Sequence, residues 1–330
     1  HRHRVVDVAV RAGIAGIAVA RALNQDAEVC VFDKSRGLGG RMATRRAGEY
    51  EFDHGAQFFT ARSPEFQQLL ASPEIAAAVE RWQPKIVTLE AGKKPYKRHW
   101  FEDHYVAAPR MNLLVKTLAT NLYVRVGLCV SEVIASGERW KLIAESGEDL
   151  GEFDWVVSAA PAAQTTALLP DAFAPMALLR QASFTPCFAL MIGLPTLSAA
   201  GFDCAVVRDS PLAWLAMNHS KPGRPETACL VAHSDNKWAA DHVNDDPQQL
   251  QQELLRIVEE LTGIDTRQAN YLSLHRWLYA RVESPVAGDG YLLDSENRLA
   301  ACGDWCVGNR VEDAFTSGAA LGRALREAMN

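Results

Sequence analysis

The chain has 330 residues, of which 48% are hydrophobic and 22% charged, with a formal net charge of −6. This composition is typical of a soluble globular protein and excludes a disordered or fibrous chain. The negative net charge disfavours nucleic acid and membrane surfaces as partners, since binding to either needs a basic face.

The length is sufficient for two domains. The seven cysteines are scattered without a CxxC pair and the histidines lack the spacing of metal ligands, so we expect reduced cysteines, no metal and a cytoplasmic location. Only nine uncharged residues separate Arg11 from Arg21, whereas a membrane span needs about 20. We therefore expect no membrane segment, and nothing in the sequence indicates an obligatory protein partner.

The beginning of the chain predicts a strand, a helix and a second strand. Residues 5–10 are rich in β-branched side chains and predict a buried strand. The alanine-rich segment Ile14–Leu23 predicts a helix, and residues 29–32 predict a strand that ends at Asp33. Strand, glycine-containing turn, helix, strand and acid form the order of a βαβ dinucleotide-binding unit, with a phosphate at the N-terminus of the helix.

The turn before this helix matches the G-x-G-x-x-G fingerprint at two of its three glycines. Gly13 and Gly16 hold the second and third positions, Asp33 follows Gly13 by twenty residues, and Arg11 replaces the first glycine. An alanine-rich helix with incidental glycines is the alternative, but the acid at the right distance favours a dinucleotide site. If the turn requires a positive φ at Arg11, that residue costs about 1–2 kcal/mol and weakens cofactor binding.

A second glycine-rich stretch follows Asp33. Gly39 and Gly40 would let backbone N–H groups face phosphates, while Arg36 and Arg41 would supply positive charge. A domain that binds only a nicotinamide dinucleotide has no need for this stretch, whereas a domain that binds FAD does. A flexible basic loop explains it less well, because glycines and arginines both recur after the acid.

Further elements follow in chain order. Ser63-Pro64 and Ser72-Pro73 each predict an N-cap followed by proline at the first helical position. Residues 85–109 predict a loop-rich segment, and short strands between turns predict a β-meander over residues 123–159. Later strands are expected near residues 187–193, 204–208, 213–217 and 228–233, before an amphipathic helix that ends at Gly263.

Three separated motifs carry a resemblance that covers nearly the whole chain. They are DKSRGLGGRMATRR at residues 33–46, FDHGAQFFT at 52–60, and LAACGDW at 299–305, after which a helix opens near Val311. Together they resemble the flavin-containing amine oxidase superfamily and, within it, the bacterial renalases.

This resemblance implies an α/β fold in which a Rossmann-like FAD-binding domain is interwoven with a smaller substrate domain made of a mixed sheet and helices. The FAD domain would comprise residues 1–60, 110–165 and 280–330. The substrate domain would comprise residues 61–109 and 166–279.

The resemblance also implies non-covalently bound FAD, with the following contacts: Ala12, Gly13, Gly16, Phe32, Asp33, Lys34, Arg36, Gly39, Gly40, Arg41, Met42, Gly55, Ala56, Val126, Gly303, Asp304 and Val311. The residues expected to position a substrate are Gln57, Phe58, Phe59, Tyr96, Trp100, Thr185 and Arg310. For Tyr96 and Trp100, ordinary packing is an equally good interpretation. The basic run from Lys93 to Arg98 could contact a substrate phosphate, although such runs are more often a solvated surface.

Renalase-like activity would oxidise the 1,2- and 1,6-dihydro isomers of NAD(P)H to NAD(P)+ by hydride transfer to the flavin, with O2 reduced to H2O2. The ring becomes aromatic when it loses the hydride, so we expect no catalytic side chain beyond the flavin. The partners would then be a small dinucleotide substrate and O2. A flavin-containing amine or polyamine oxidase, and an NAD(P)-binding protein without flavin catalysis, are the alternatives.

Overall fold

The computed structural model describes residues 7–196 and 200–329. Residues 5 and 6, with which the first predicted strand begins, lie outside these ranges. The strands are β1 (Asp7–Arg11), β2 (Glu28–Asp33), β3 (Thr44–Ala47), β4 (Tyr50–Asp53), β5 (Val79–Arg81), β6 (Ile86–Glu90), β7 (Tyr96–Lys97), β8 (Tyr105–Ala107), β9 (Tyr123–Val126), β10 (Val130–Ser136), β11 (Arg139–Ala144), β12 (Asp149–Phe153), β13 (Trp155–Ser158), β14 (Ser183–Leu194), β15 (Cys204–Arg208), β16 (Leu212–Met217), β17 (Ala228–Ser234), β18 (Tyr271–Ser284), β19 (Leu292–Asp294) and β20 (Leu299–Ala301). The α-helices are α1 (Ile14–Leu23), α2 (Pro64–Ala71), α3 (Pro73–Ala76), α4 (Leu113–Leu118), α5 (Ala162–Leu168), α6 (Met176–Leu179), α7 (Asn236–Asp241), α8 (Pro247–Thr262) and α9 (Val311–Met329).

The predicted βαβ unit is confirmed. α1 has the expected bounds, and β2 pairs in parallel with β1 and ends at Asp33. Arg11 is the last residue of β1 and pairs with Phe32, so its backbone is extended. The expected backbone cost at Arg11 therefore does not arise; the residue with a positive φ is Gly13, at 139°.

A six-stranded sheet holds this unit at its centre. The strand order is β19-β20-β13-β1-β2-β9, and only β19 runs antiparallel to its neighbour. Alternate residues of β13 point to opposite faces: Trp155 and Val157 pack with α1 and α9, whereas Val156 packs with residues of the meander. The carboxyl ends of β1, β2, β9, β13 and β20 therefore lie along one edge, where open α/β sheets bind their ligands.

The predicted meander over residues 123–159 is confirmed only in its central part, as the antiparallel sheet β10-β11-β12. The strands at its two ends, β9 and β13, pair in parallel within the six-stranded sheet. Leu142 and Phe153 bury their side chains in the same core as Phe32, and the rings of Phe153 and Phe32 meet edge to face at 5.9 Å. The meander thus covers the face of the six-stranded sheet that the two long helices leave open.

The second large sheet has seven strands, in the order β18-β14-β17-β16-β15-β6-β7. The four later predicted strands are confirmed as β14 to β17, and α8 ends at Gly263 in the left-handed conformation, with φ 71°. The segment over residues 85–109, predicted to be loop-rich, contains the short strands β7 and β8 and the longer strand β6, which pairs in parallel with β15 and was not predicted. Residues 86–89 are all buried, so the strand lacks the alternation that would reveal it in the sequence.

The two serine-proline pairs behave differently. The hydroxyl of Ser63 accepts the backbone N–H of Phe66 at 3.2 Å, as predicted for the N-cap of α2. Ser72 precedes α3, but its hydroxyl donates to the carbonyl of Leu69 at 2.7 Å. Since α2 ends one residue earlier, the carbonyl of Leu69 in its last turn, which also accepts the backbone N–H of Ser72 at 3.1 Å, is the nearer partner, and the side chain of Ser72 does not cap α3.

α1 and α9 approach so closely that glycine is needed at their contact. A Cβ on Gly318 would overlap with the carbonyl oxygen of Ala15, and a Cβ on Gly322 would overlap with the side chain of Ala22. These glycines bring the backbone of α9 against α1 from its first turn, at Ala15, to its last, at Ala22. This packing therefore fixes the position of the N-terminus of α1, which faces the carboxyl edge of the six-stranded sheet.

The predicted α/β class, with a Rossmann-like sheet and a second mixed sheet, is confirmed. Strands of the two large sheets alternate along the chain, while the predicted domain boundaries stay a prediction. Within the described ranges, no helix combines the length and the apolar character that a membrane span needs.

We predict that Gly318→Ala lowers the free energy of unfolding by about 1–3 kcal/mol, because the added methyl group forces α9 away from Ala15. Urea unfolding of the two proteins measures the difference. Glu327→Ala, at an exposed position of the same helix, is the control and should change stability by less than about 0.5 kcal/mol. Equal effects of the two substitutions would contradict the close-contact interpretation.

Candidate functional site

The predicted cofactor residues gather along the carboxyl edge of the six-stranded sheet. β1 and α1 supply Ala12, Gly13 and Gly16, β2 is followed by Lys34 and Arg36, and β9 ends at Val126. Gly303 and Asp304 follow β20, and Val311 is the first residue of α9. Phe32, Met42 and Gly16 are buried, so the side chains of Phe32 and Met42 pack in the cores rather than at the edge.

The N-terminus of α1 offers backbone donors to an anion. The first hydrogen bond within the helix joins the N–H of Ile17 to the carbonyl of Gly13, and no side chain caps this end. The N–H groups of the preceding helical residues therefore point out of the helix with its positive dipole end. Gly13 has no Cβ to obstruct the approach of a phosphate.

Asp33 lies beside this helix end. Its side chain is buried, and Oδ1 accepts the backbone N–H of Ser35 at 2.8 Å. On the neighbouring strand, Val126 pairs with Asp33 and is 46% exposed, which is unusual for an aliphatic side chain at a strand end. An acid for ribose hydroxyls next to an open apolar surface suits an adenosine.

Arg41 connects two motifs that are far apart in sequence. Its guanidinium donates two hydrogen bonds to Asp304, each 2.7 Å long, from the short 3-10 helix Gly40–Met42. Its carbonyl accepts the N–H of Ala56 at 2.8 Å, and a Cβ on Gly55 would overlap with that carbonyl. The DHGAQ segment can therefore lie against the cofactor edge only with glycine at position 55.

These residues fit FAD. Helix N–H groups and the open backbone at Gly13 and Gly40 can receive a pyrophosphate, and a Cβ at Gly40 would face empty space. Asp33 can hold the adenosine ribose, while Asp304 with Arg41 lies where the second half of the cofactor is expected. FAD bound there supplies a flavin that accepts two electrons as a hydride.

An aromatic cluster adjoins this edge on the side of the seven-stranded sheet. The ring of Phe58 lies 5.0 Å from Trp100, 4.4 Å from His104 and 5.7 Å from Trp214, measured between centroids. Trp82 completes the aromatic cluster at 5.6 Å from Trp100. Trp100 stacks on His104 with 3.6 Å between ring centroids, and Phe58, Trp100 and Trp214 are only partly buried, so part of each side chain is open to a ligand.

The structure brings three of the predicted substrate residues together, Gln57, Phe58 and Trp100. Phe59 points the other way, into the core against Phe66. Three other predicted residues are not part of the aromatic cluster. Tyr96 is exposed on the edge strand β7 and lines a cavity together with Trp100 and His104, Thr185 pairs with Arg281 in the sheet, and Arg310 is exposed just before α9. Substrate contact by any of these residues stays a prediction.

A buried ion cluster, made of Asp53, Lys221 and Arg224, lies beneath the aromatic cluster. The side chain of Asp53 is fully buried; its Oδ2 accepts two hydrogen bonds from Arg224, at 2.7 and 3.1 Å, and lies 3.5 Å from Nζ of Lys221. Its Oδ1 accepts from the hydroxyl of Thr44 and the N–H of Met111. Burial disfavours the charge of Asp53, but the two cations outweigh it and lower its pKa.

Lys221 is the unusual member of the buried ion cluster. Its ammonium is fully buried, lies 5.4 Å from the centre of the Trp82 ring and donates to Oε1 of Gln57 at 3.1 Å. Burial, reinforced by Arg224 and opposed by Asp53, lowers the pKa of Lys221 to about 8. The lysine is therefore mostly charged at pH 7 but close to its titration range.

Gln57 is oriented by four hydrogen bonds. Its amide nitrogen donates to the carbonyls of Asp53 and Gly55, while its oxygen accepts from Lys221 and from the indole of Trp214 at 3.4 Å. The side-chain amide has two N–H donors and one acceptor oxygen, so these four contacts occupy all of its hydrogen-bonding groups. In this arrangement Gln57 holds the aromatic cluster and the buried ion cluster together rather than presenting a free donor.

The histidines near the site are neutral. Burial, aided by His275 and Arg45, lowers the pKa of His54 to about 3, and burial lowers the pKa of His233 to about 4. The carbonyl of His54 accepts hydrogen bonds from His233 and from Trp277. These rings act as neutral packing groups and hydrogen-bond donors at physiological pH.

Sequence reasoning missed Lys221, Arg224, Trp82, His104 and Trp214. The pair Lys221 and Arg224 follows an apolar strand and looks like an ordinary charged turn, with Gly223 at φ 73°. Asn218 looks like a glycosylation acceptor, yet it is buried and donates to the carbonyl of Glu51 at 2.9 Å. The one available signal was the density of tryptophan and histidine between residues 82 and 104.

Two family models match the chain. One, described as an NAD(P)-binding Rossmann-like domain, matches residues 12–72, and one described as flavin containing amine oxidoreductase matches residues 89–321. A candidate protoporphyrinogen oxidase from Exiguobacterium sp. 255-15 has a similar structure, with a TM-score of 0.77 and 14% identity over 98% of this chain and 99% of its own. Wild-type putrescine oxidase bound to putrescine has a TM-score of 0.70 and 11% identity, over 98% of this chain and 99% of its own. At such identities the two structures show the fold alone.

We predict that Asp53→Asn lowers the free energy of unfolding by about 3–5 kcal/mol, because it leaves Lys221 and Arg224 buried without a counter-charge. Asp171→Asn is the control, since Asp171 is 96% exposed and its ion pair with Arg180 should contribute less than about 1 kcal/mol. Urea unfolding compares the two variants. If Asp53→Asn lowers the free energy of unfolding no more than the control does, the assignment of Asp53 as the counter-charge of Lys221 and Arg224 is contradicted.

We also predict a pH signature of Lys221. Its pKa is about 8 in the folded protein against 10.5 as a free side chain, so the unfolded state binds more protons between these values and stability rises with pH. The unfolding free energy of the wild type should therefore gain about 3 kcal/mol relative to Lys221→Met between pH 8 and 10.5. The exposed Lys237→Met variant should show no such gain. A flat difference between wild type and Lys221→Met would refute the shifted pKa.

Proposed function

The chain belongs to the flavin containing amine oxidoreductase family, and on that premise we propose that it oxidises the 1,2- and 1,6-dihydro isomers of NAD(P)H to NAD(P)+, as renalases do. The predicted FAD cofactor and the predicted class of FAD-dependent oxidoreductase are confirmed by this membership. The proposal concerns the substrate, for which the family alone allows amines as well.

The observation that carries the proposal is the positive charge of the buried ion cluster. Lys221 and Arg224 each contribute one positive charge and Asp53 one negative charge, so the three side chains carry +1 at pH 7. This charge lies 3.1 Å from Gln57 and under the ring of Trp82. A protonated amine is repelled by it, whereas a dihydropyridine ring is neutral and the dinucleotide that bears it is anionic.

The carboxylates near the aromatic cluster do not offset this preference. Glu102 pairs with Arg62, and Asp103 pairs with Arg81. Among the described residues that line the cavities here, these are the only two acids. Because both acids are already paired, neither offers an unpaired carboxylate to the ammonium group of an amine substrate.

The aromatic cluster suits a planar ring. Phe58, Trp100 and Trp214 present partly exposed faces on which a dihydronicotinamide can stack while water is excluded. Orientation is the main requirement on the protein, because the substrate loses a hydride and no proton from the ring.

The overall reaction balances without further reactants. The dihydro isomer gives up a hydride and becomes NAD(P)+, and O2 receives the two electrons and, with the transferred hydrogen and one proton from solvent, becomes H2O2. The two electrons pass through the flavin, and the chain supplies the binding surface.

We predict that anaerobic mixing of the FAD-loaded protein with 1,2-dihydro-NAD bleaches the flavin absorbance rapidly, because the ring stacks in the aromatic cluster beside the cofactor. In air, each substrate molecule should yield one H2O2. Ordinary 1,4-NADH is the matched control and should react far more slowly, and a panel of amines including putrescine should leave the flavin oxidised. Bleaching by an amine but not by the dihydro isomers would overturn the proposal in favour of an amine oxidase.

A further inference from the structure

A cavity of about 660 Å³ opens on the outer side of the aromatic cluster. Trp82, Trp100 and His104 form part of its wall, so it begins where the aromatic cluster ends. Lys85, Lys97 and Arg98 lie on its rim from two separate segments of the chain. We call the part of this cavity lined by these three cations the basic cleft.

The cations of the basic cleft have no carboxylate to neutralise them. Across the described ranges, no Asp or Glu oxygen lies within 4.0 Å of the side-chain nitrogens of Lys85, Lys97 or Arg98. The two acids on the rim, Glu102 and Asp103, are already paired with Arg62 and Arg81. The basic cleft therefore presents a surplus of positive charge in a concave site, where a field is stronger than on an open surface.

The structure separates the basic run of the sequence into two parts. Lys97 and Arg98 line both this cavity and a second one of about 580 Å³ beside it. Lys93 forms an ion pair with Glu90 at 2.5 Å, and neither it nor Lys94 lines either cavity. Lys97 and Arg98 therefore differ from Lys93 and Lys94 in their position in the fold, although all four residues belong to the same basic run of the sequence.

We infer that the basic cleft binds the phosphate groups of the substrate while its ring lies on the aromatic cluster. The short stretch of chain between the basic cleft and the aromatic cluster supports the binding of one ligand across both. Trp100 follows Lys97 by three residues, which spans at most about 10 Å, close to the reach of one ribose and its phosphates. This inference rests on the proposed function for the identity of the ring, but the anion it assigns can be tested separately.

The kinetic test uses two substrates that share the reacting ring. One is 1,2-dihydro-NAD, and the other is 1,2-dihydronicotinamide riboside, which has no phosphate. Lys97→Ala/Arg98→Ala should raise KM for the dinucleotide about tenfold or more at unchanged kcat, because charge-assisted hydrogen bonds to phosphate are lost equally from the ground state and the transition state. The same variant should leave KM for the riboside unchanged.

The control is Lys93→Ala/Lys94→Ala, which removes the same charge from the same segment outside the cavities. It should leave KM for both substrates within about twofold of the wild type. Raised salt should increase KM for the dinucleotide in the wild type and in this control, and much less in Lys97→Ala/Arg98→Ala. Equal effects of the two double variants, or equal effects on the two substrates, would overturn the inference.

A binding measurement separates this inference from the proposed function. Titration of ADP-ribose into the FAD-loaded protein, followed by calorimetry, should show binding that Lys97→Ala/Arg98→Ala abolishes and the control retains. If no dihydronicotinamide reduces the flavin but this binding pattern is found, the proposed function fails and the phosphate site stands. If ADP-ribose does not bind, or binds both variants equally, the phosphate site is refuted.

Discussion

The carboxylate of Asp53 is the constraint on which the site depends. It is fully buried and remains ionised because Thr44, Met111, Lys221 and Arg224 supply donors in place of water. These donors come from the hairpin β3-β4, the turn before α4 and the segment after β16. One side chain therefore joins the segment that packs on Arg41 to the segment that follows β16, the strand that carries Trp214 of the aromatic cluster.

The same interaction sets the electrostatics of the site. Two cations are buried against one carboxylate, and the excess positive charge lies under Gln57 and Trp82. The basic cleft adds further positive charge on the outer side of the aromatic cluster. The proposed dinucleotide would direct its phosphates toward this positive charge with a neutral ring on the aromatic cluster, whereas a protonated amine would meet positive charge on both sides.

Local requirements of the backbone made much of the cofactor edge predictable. A phosphate at a helix end needs Gly13, a ribose needs an acid such as Asp33, and each is recognisable within a short stretch of sequence. The same is true of the cap at Ser63 and of the helix end at Gly263. Two predictions failed for different reasons: the hydroxyl of Ser72 bonds to the carbonyl of Leu69, three residues earlier, instead of capping α3, and β6 is buried on both faces by the packed sheet.

The sequence by itself determined the fold class and the set of residues that gathers at the carboxyl edge of the six-stranded sheet, because glycines, strand ends and acids at set spacings act through their immediate neighbours. Only the tertiary structure decided which charges are buried and which are solvated. Lys221 and Lys93 are equivalent in a sequence, yet one lies 3.5 Å from a carboxylate 168 residues away and the other pairs with Glu90 on the surface. Burial changes the energy of a charge by several kcal/mol, and burial is a property of the packed chain rather than of any segment.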